Sequence, residues 1–350
     1  MSAEKRVVHT LLAGLGRIGW NTHLPALLAD PGFQVDAVVD PAQERLAECR
    51  QKFGIPGFHT LEEALKRGVF DLTVIASPTC FHAKQTIAAL QSGSHVFCDK
   101  PAALNGLELS QMISASRASG KILTVFQPRR VFPETLFIRS LMETSKIGDI
   151  FQLRLNMYRY SPRNDWQALL KNGGGMLLNY GSHLVDQCNA LFPQEGKLLA
   201  CTADRIISCG DAEDVVEILL RYGKTTVDLS INQAAGDTLF DIAVFGSRGS
   251  AVLPSNGKKW RVRTLPSTVF SGPAINPELA APGRSYPAAS VLFQNEELEM
   301  PETEDATLLY YRNLYDAVTN GTPLLNPIGE TEKLVRIIDE ARGAAERIEA

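Results

Sequence analysis

The spacing of hydrophobic positions changes once along this chain, near residue 127, and the change divides it into two textures. Up to about Phe126, short apolar runs alternate with helical patterns. The runs at 7–12, 34–39, 72–76, 95–98 and 122–126 have the length of buried strands rather than helices. Between them, Pro41–Phe53, Phe81–Gln91 and Leu104–Ala118 show the helical period that buries one face. This alternation predicts a parallel, doubly wound sheet. Pro25 lies inside the first helical stretch and should kink or end it, because its ring removes a backbone donor.

After Gln127-Pro128 a helix over roughly 131–144 leads into β-like runs at 149–160, 197–208, 213–222, 225–232 and 239–246. Shorter runs follow at 249–253 and 258–264. Consecutive strands with few helices between them predict a mostly antiparallel sheet. Leu265–Ala288 contains Pro266, Pro273, Pro277, Pro282 and Pro287 and reads as a long loop. Helices near Asp305–Asn320 and Glu330–Ile348 close the chain. With 350 residues, the expected division is two domains, 1–126 and 127–350.

The first strand-to-helix turn reads Gly14-Leu15-Gly16-Arg17-Ile18-Gly19, and Asp40 ends the next apolar run. Gly14 permits the tight turn, Gly16 lets a pyrophosphate approach the backbone, and Gly19 lets helix and strand pack closely. The helix start offers free N–H groups to phosphate. Gly14, Gly16, Arg17, Ile18, Gly19 and Asp40 are therefore the expected dinucleotide site. The Asp40 carboxylate suits free ribose hydroxyls and would repel a 2′-phosphate, and Pro41 rather than Arg follows it. The expected cofactor is NAD rather than NADP, with Arg45 one turn on as the opposing feature. Asp40-Pro41 also reads as a helix N-cap followed by proline at the first helical position.

Composition narrows the alternatives. The chain is 45% hydrophobic and 21% charged with a net charge of −4, the profile of a globular protein without a basic patch for nucleic acid. No apolar run approaches the ~18 residues that would suggest a membrane span. The stretch Met1 to Val8 does not read as a signal segment, so a cytoplasmic location is expected. The six cysteines form no CxxC, and no metal site is expected.

Two further segments could carry chemistry. Asp99-Lys100-Pro101 follows the fifth strand, where ligands of open α/β sheets bind, and burial there would lower the lysine's pKa. Taken alone, such a pair is more often a solvated turn. Gly173-Gly174-Gly175 precedes Asn179, Ser182, His183 and Asp186; the glycines invite close approach by a ligand or by another backbone segment. Ser182 would cap a helix carrying His183 and Asp186, with Asn179 just outside it. His183 is a plausible acid/base, since imidazole titrates near neutrality, although an isolated histidine is more often structural.

Taken in order, these motifs, the Ser77-Pro78-Thr79 turn with His82, and the ending Tyr310–Asp316, Gly321 and last helix resemble the glucose–fructose oxidoreductase / inositol dehydrogenase / MocA family over nearly the whole chain. The resemblance implies an N-terminal Rossmann domain and a C-terminal α/β domain whose large open sheet forms homodimers or homotetramers. It implies Lys100 and His183 as catalytic residues, Lys100 orienting the reacting hydroxyl and His183 acting as acid/base. It sets Ser77, Pro78, His82, Asp99, Lys100 and Gln127 beside the cofactor. Asn179, Arg163 and Trp166 fall at the substrate, with Arg129 bordering the same pocket. Asp99 and Asn179 stand where the family has Glu and Asp. The implied activity is hydride transfer between NAD and a secondary hydroxyl of a sugar, sugar acid or cyclitol. The alternative is a catalytically weak ligand-binding regulator on the same scaffold.

Overall fold

A computed structural model describes residues 6–266 and 292–349. Six parallel strands form the first sheet: β1 (Val8–Ala13), β2 (Phe33–Val39), β3 (Gly57–Phe58), β4 (Leu72–Ile75), β5 (His95–Cys98) and β6 (Leu123–Val125). Their spatial order is β3-β2-β1-β4-β5-β6. The order reverses between β1 and β4, which opens a crevice beyond the carboxyl ends of these two strands. Helices α1 (Leu24–Ala29), α2 (Gln43–Phe53), α3 (Leu61–Arg67), α4 (His82–Gln91) and α5 (Gly106–Ser119) connect the strands. The two-residue β3 and the short α3 were not anticipated, being too short for a periodic signal. The helix after β1 runs through Pro25; a π-type turn, Gly19–His23, lies immediately ahead of α1. The missing proline donor is thus met by a change of hydrogen-bond pattern rather than by a helix end.

Among the described residues, the second sheet has eight strands in the order β14-β13-β12-β11-β7-β10-β9-β8. They are β7 (Ile150–Tyr158), β8 (Gly196–Asp204), β9 (Val215–Tyr222), β10 (Thr225–Asn232), β11 (Phe240–Gly246), β12 (Gly249–Pro254), β13 (Lys259–Thr264) and β14 (Gln294–Glu299). All neighbours are antiparallel except β7 and β10. The proline-rich stretch beyond Pro266 lies outside the described residues. β14, rich in Glu and Gln and exposed, gave no apolar run to read.

Alternate residues of the central strands, such as Leu153 and Leu155 of β7 and Val227, Leu229 and Ile231 of β10, face one way. There they meet α6 (Pro133–Thr144), α7 (Ser182–Leu191) and α9 (Ile328–Glu349). The cores are not separate in sequence. Helix α8 (Ala306–Asn320) returns to the first sheet, where Tyr310, Tyr311 and Leu314 pack with Phe33, Phe97 and Phe126. Helix α9 contributes Val335 to one core and Leu334, Ile337 and Ile338 to the other. Helix α9 thereby packs on both α7 and β6, and α8 on the turn after β6.

Candidate active site

The glycine turn after β1 is built by close packing at two of its three glycines. A side-chain carbon on Gly19 would lie 1.9 Å from the Gly14 carbonyl oxygen, and one on Gly14 would lie 2.6 Å from the Ala76 backbone. On Gly16 the same atom would meet nothing within 4 Å. The fold therefore does not require glycine there; the open space is a cradle at a helix start, where a phosphate could reach the backbone. Arg17 is exposed on the same turn.

Asp40 sits at the end of β2, 2% exposed. Its carboxylate accepts from the Leu15 N–H (2.8 Å) and the Ala42 N–H (2.9 Å), and Arg45 Nη1 lies 3.2 Å from Oδ2. Asp40 is not an N-cap: α2 starts at Gln43 after Ala42, and Pro41 precedes the helix. The carboxylate turns back toward the glycine turn because Leu15 supplies a free backbone donor there. These features together fit a dinucleotide, with Gly16, Asp40 and the start of the helix at 17–29 as the groups that would hold it.

The next loops come together through His82, buried in α4. Its Nδ1 lies 2.8 Å from the Pro101 carbonyl oxygen and its Nε2 2.7 Å from that of Ser77. The ring thus fastens the Ser77-Pro78 turn to the Lys100-Pro101 turn. Ser77 donates from its hydroxyl to Gln85 Oε1. Gln127, fully buried after β6, accepts a hydrogen bond from the Tyr310 hydroxyl on its backbone carbonyl (2.8 Å).

Asp99 and Lys100 end β5 and line a cavity of about 620 Å³, with Ile18, Glu134, His183 and Thr307 on its other walls. Burial pushes the Asp99 carboxyl up to about 6, against the charge of Lys100. Behind it lies His23, 0% exposed, with Nε2 4.0 Å from Asp99 Oδ1 and Nδ1 2.8 Å from the Tyr311 hydroxyl. Burial takes His23 down to about 3, so it is neutral. Burial also pushes Lys100 down to about 8, opposed by Asp99 and assisted by Arg129, Arg17 and Arg163.

Lys100 Nζ donates to Asn179 Oδ1 (2.7 Å) and to the Asn179 carbonyl oxygen (3.2 Å). Asn179 Nδ2 in turn donates to Gln167 Oε1 (3.3 Å). Asn179 lies inside a helical segment, not outside it: a π-type turn, Leu177–Gly181, runs directly into α7. Ser182 accordingly caps nothing, and its hydroxyl donates to the Asn179 carbonyl. The extra turn forms because Gly175, at φ +93°, lets the chain start helical geometry earlier. His183 faces the cavity from the first turn of α7, and its buried Nδ1 has no partner. Burial, with Lys100 and Arg129 nearby, holds its pKa well below the ordinary value. Asp186 is bound bidentately by Arg130 (2.7 and 2.8 Å), which ties α7 to the turn after β6. It belongs to the scaffold.

The triple glycine serves packing within the protein. A side-chain carbon on Gly174 would lie 2.2 Å from the Gln167 carbonyl, and one on Gly173 2.7 Å from Thr79 Cβ. The loop bearing Arg163 and Trp166 is thereby held close to the Thr79 turn after β4. Trp166 is 38% exposed at the head of a 3₁₀ turn, and Arg163 Nη1 lies 3.4 Å from Asp165 Oδ2. Arg129 lies after β6, with Nη2 3.3 Å from Met157 Sδ and its guanidinium over Phe132. Four residues of the site had no role assigned from the sequence: His23, Arg159, Gln167 and Tyr180. Tyr180 lies under both Lys100 Nζ (5.8 Å to the ring centre) and Arg159 (4.9 Å). Its hydroxyl accepts from Arg159 Nη2 at 2.7 Å. Tyr180 stands within the Gly173–Asp186 segment without a role of its own there, and the other three stand in no motif; only the meeting of the turns Gly19–His23, Trp166–Ala168 and Leu177–Gly181 with the end of β7 makes them parts of one site.

The chain is similar over almost its full length to proteins of one kind. It is 24% identical to the scyllo-inositol 2-dehydrogenase (NADP(+)) IolW of Bacillus subtilis, covering 96% of this chain and 94% of that protein. It is 27% identical to the mouse trans-1,2-dihydrobenzene-1,2-diol dehydrogenase, covering 95% and 94%. In structure it resembles an NAD-binding protein from Listeria innocua, with a TM-score of 0.83, 21% identity and 98% of each chain covered. Residues 8–127 match the oxidoreductase family with an NAD-binding Rossmann fold, and residues 135–252 match the GFO/IDH/MocA C-terminal domain. On both halves, then, the chain belongs to the GFO/IDH/MocA family of oxidoreductases.

Proposed function

We propose that the protein moves hydride between NAD and a secondary hydroxyl or ketone of a polyhydroxylated substrate: a sugar, sugar acid or cyclitol. The observation that carries this reading is the meeting of Lys100 and His183, from the two domains, on one cavity beside the glycine turn. The names of two relatives, an inositol dehydrogenase and a dihydrodiol dehydrogenase, support a ring alcohol as substrate. Intact Lys100 and His183 favour an enzyme over a regulator.

Bound nicotinamide supplies the hydride acceptor or donor. Lys100, positively charged below about pH 8, holds the substrate oxygen and polarises it. His183 is neutral at pH 7, so it is set to receive the hydroxyl proton during oxidation. Asn179 orients Lys100 without neutralising it. Asp99 borders the cavity at the end of β5, and His23 backs it.

NAD is the cofactor we favour, because Asp40 would repel a 2′-phosphate; Arg45, 3.2 Å from that carboxylate, offsets part of the repulsion. We also propose a homodimer or homotetramer through the second sheet, whose described helices pack on one face only. Fluorescence titration with both cofactors tests the nucleotide assignment. NAD should bind more tightly, Asp40→Ala should narrow the gap, and Arg45→Ala should widen it. Formation of reduced cofactor across a panel of sugars, sugar acids and cyclitols tests the activity. Equal or tighter NADP binding would refute the first, and tight cofactor binding with no turnover the second.

A further inference from the structure

Lys100 and Arg159 share the Tyr180 ring, and the charges of Arg129 and Arg163 reach Lys100, with Asp99 offsetting them only in part. Lys100 bonds to neutral Asn179, and Arg159 bonds to neutral Gln233 Oε1 (2.9 Å) and the Tyr180 hydroxyl. Arg129 is half-buried with a sulfur and an aromatic ring as its contacts, and among the described residues no carboxylate lies within the 4.0 Å of an ion pair. Arg163 has one long contact, 3.4 Å to Asp165, while its buried Nε has no partner. The carboxylates whose charge reaches Arg129 are Glu134 and Asp241, neither paired with it. On the far wall of the cavity, Glu304 is bound by Arg312 and Asp305 caps α8.

Desolvating a guanidinium without a counter-ion is costly, and like charges held together add to that cost. The arrangement is favourable when an anion completes it. Arg129 and Arg163 suit the task, because a guanidinium presents paired N–H donors to a carboxylate, and such charge-assisted bonds are the strong ones.

Building on the reading of the site given above, we infer that the substrate is a carboxylate-bearing polyol, a sugar acid, held through its carboxylate by Arg129 and Arg163 while its reacting hydroxyl lies at Lys100 and His183. Neutral Asn179 belongs to the same design: it fixes Lys100 without adding a negative charge that would oppose the substrate.

The test uses matched probes on the full chain with the tighter-binding cofactor: D-gluconate against D-glucitol, D-galacturonate against D-galactose, and D-glucose 6-phosphate as a different anion. Initial rates and calorimetric binding are both read. The acid of at least one pair should exceed its neutral partner in kcat/KM or affinity by about 10–100-fold, the net worth of a hydrogen bond to a charged group. That ratio should fall toward unity in Arg129→Gln and in Arg163→Gln, with Arg129→Lys retaining part of it; thermal melts identify any variant that fails to fold. Neutral sugars handled as well as their acids, or ratios unchanged in both variants, overturn the inference and leave the oxidoreductase reading standing. Preference for the sugar phosphate overturns the carboxylate assignment. Arginine-dependent binding of an acid without turnover supports this site and counts against the proposed reaction alone. No binding of any acid overturns the inference.

Discussion

The two walls of the site are made by different means. The wall toward the first sheet is a backbone device: a six-residue turn, a helix start and one carboxylate, all within residues 14–40. The rest of the site consists of side chains: Lys100 and Arg129 from the ends of β5 and β6, Arg159 and Arg163 from the chain after β7, and Asn179 and His183 from the helical segment around α7. A backbone cradle depends on few positions and fits a group of constant shape, such as a pyrophosphate. A side-chain wall can be altered residue by residue, which is how one scaffold takes different substrates. Asn179 and the arginines are where this chain expresses its own choice.

The contrast is broken most severely at its reacting centre. Lys100→Met and His183→Ala should each lower turnover by roughly 10²–10⁴-fold, the usual range for a positioned proton-transfer group. His183→Ala should leave cofactor affinity nearly unchanged; full activity in that variant would remove His183 from the reaction. On the backbone wall, Gly19→Ala and Gly16→Ala should separate packing from binding. Gly19→Ala forces an atom to 1.9 Å from a carbonyl oxygen and should cost about 1–3 kcal/mol or more in denaturant unfolding. Gly16→Ala has room, so stability should stay within about 0.5 kcal/mol while cofactor binding weakens. If both variants lost stability equally, Gly16 would not be a ligand-facing position.

The smallest effect is the most diagnostic. Lys100 carries its charge below about pH 8, so kcat/KM should fall as pH rises through that value. Asn179→Asp would set a carboxylate against Nζ, where the amide oxygen now lies at 2.7 Å, and favour the charged lysine. The alkaline limb should then move up by about one unit. The family resemblance, which has Asp at this position four residues before the histidine, points to His183 as the partner of residue 179; the hydrogen bonds point to Lys100. A shift confined to the acid limb would restore the first assignment.

Much of the architecture was legible because its causes are local. Strand runs such as 72–76 and 95–98 are apolar on both faces, the mark of a covered parallel sheet, and the glycine turn with Asp40 is a contiguous signal. β3, α3 and β14 were not legible, since two residues, one short helix and an exposed charged strand have no periodicity to detect. Nor was the start of the helix bearing Asn179. A serine followed by apolar residues reads as a cap, whereas the chain enters helical geometry a turn earlier, after Gly175.

By itself, then, the sequence determined the order of elements, the parallel and antiparallel character of the two sheets, and the identity of the turn that would take a phosphate. These follow from side-chain period and from the steric needs of glycine, which act between near neighbours. Only the tertiary structure decided that α8 completes the first core, that Asp186 belongs to Arg130, and that Lys100 answers to Asn179. It alone brought Arg159 onto the Tyr180 ring beside Lys100, and the charges of Arg129 and Arg163 within reach of that lysine, with so few counter-charges. Such electrostatics depend on distance and burial between residues far apart in the chain, and neither is written in the spacing of a sequence.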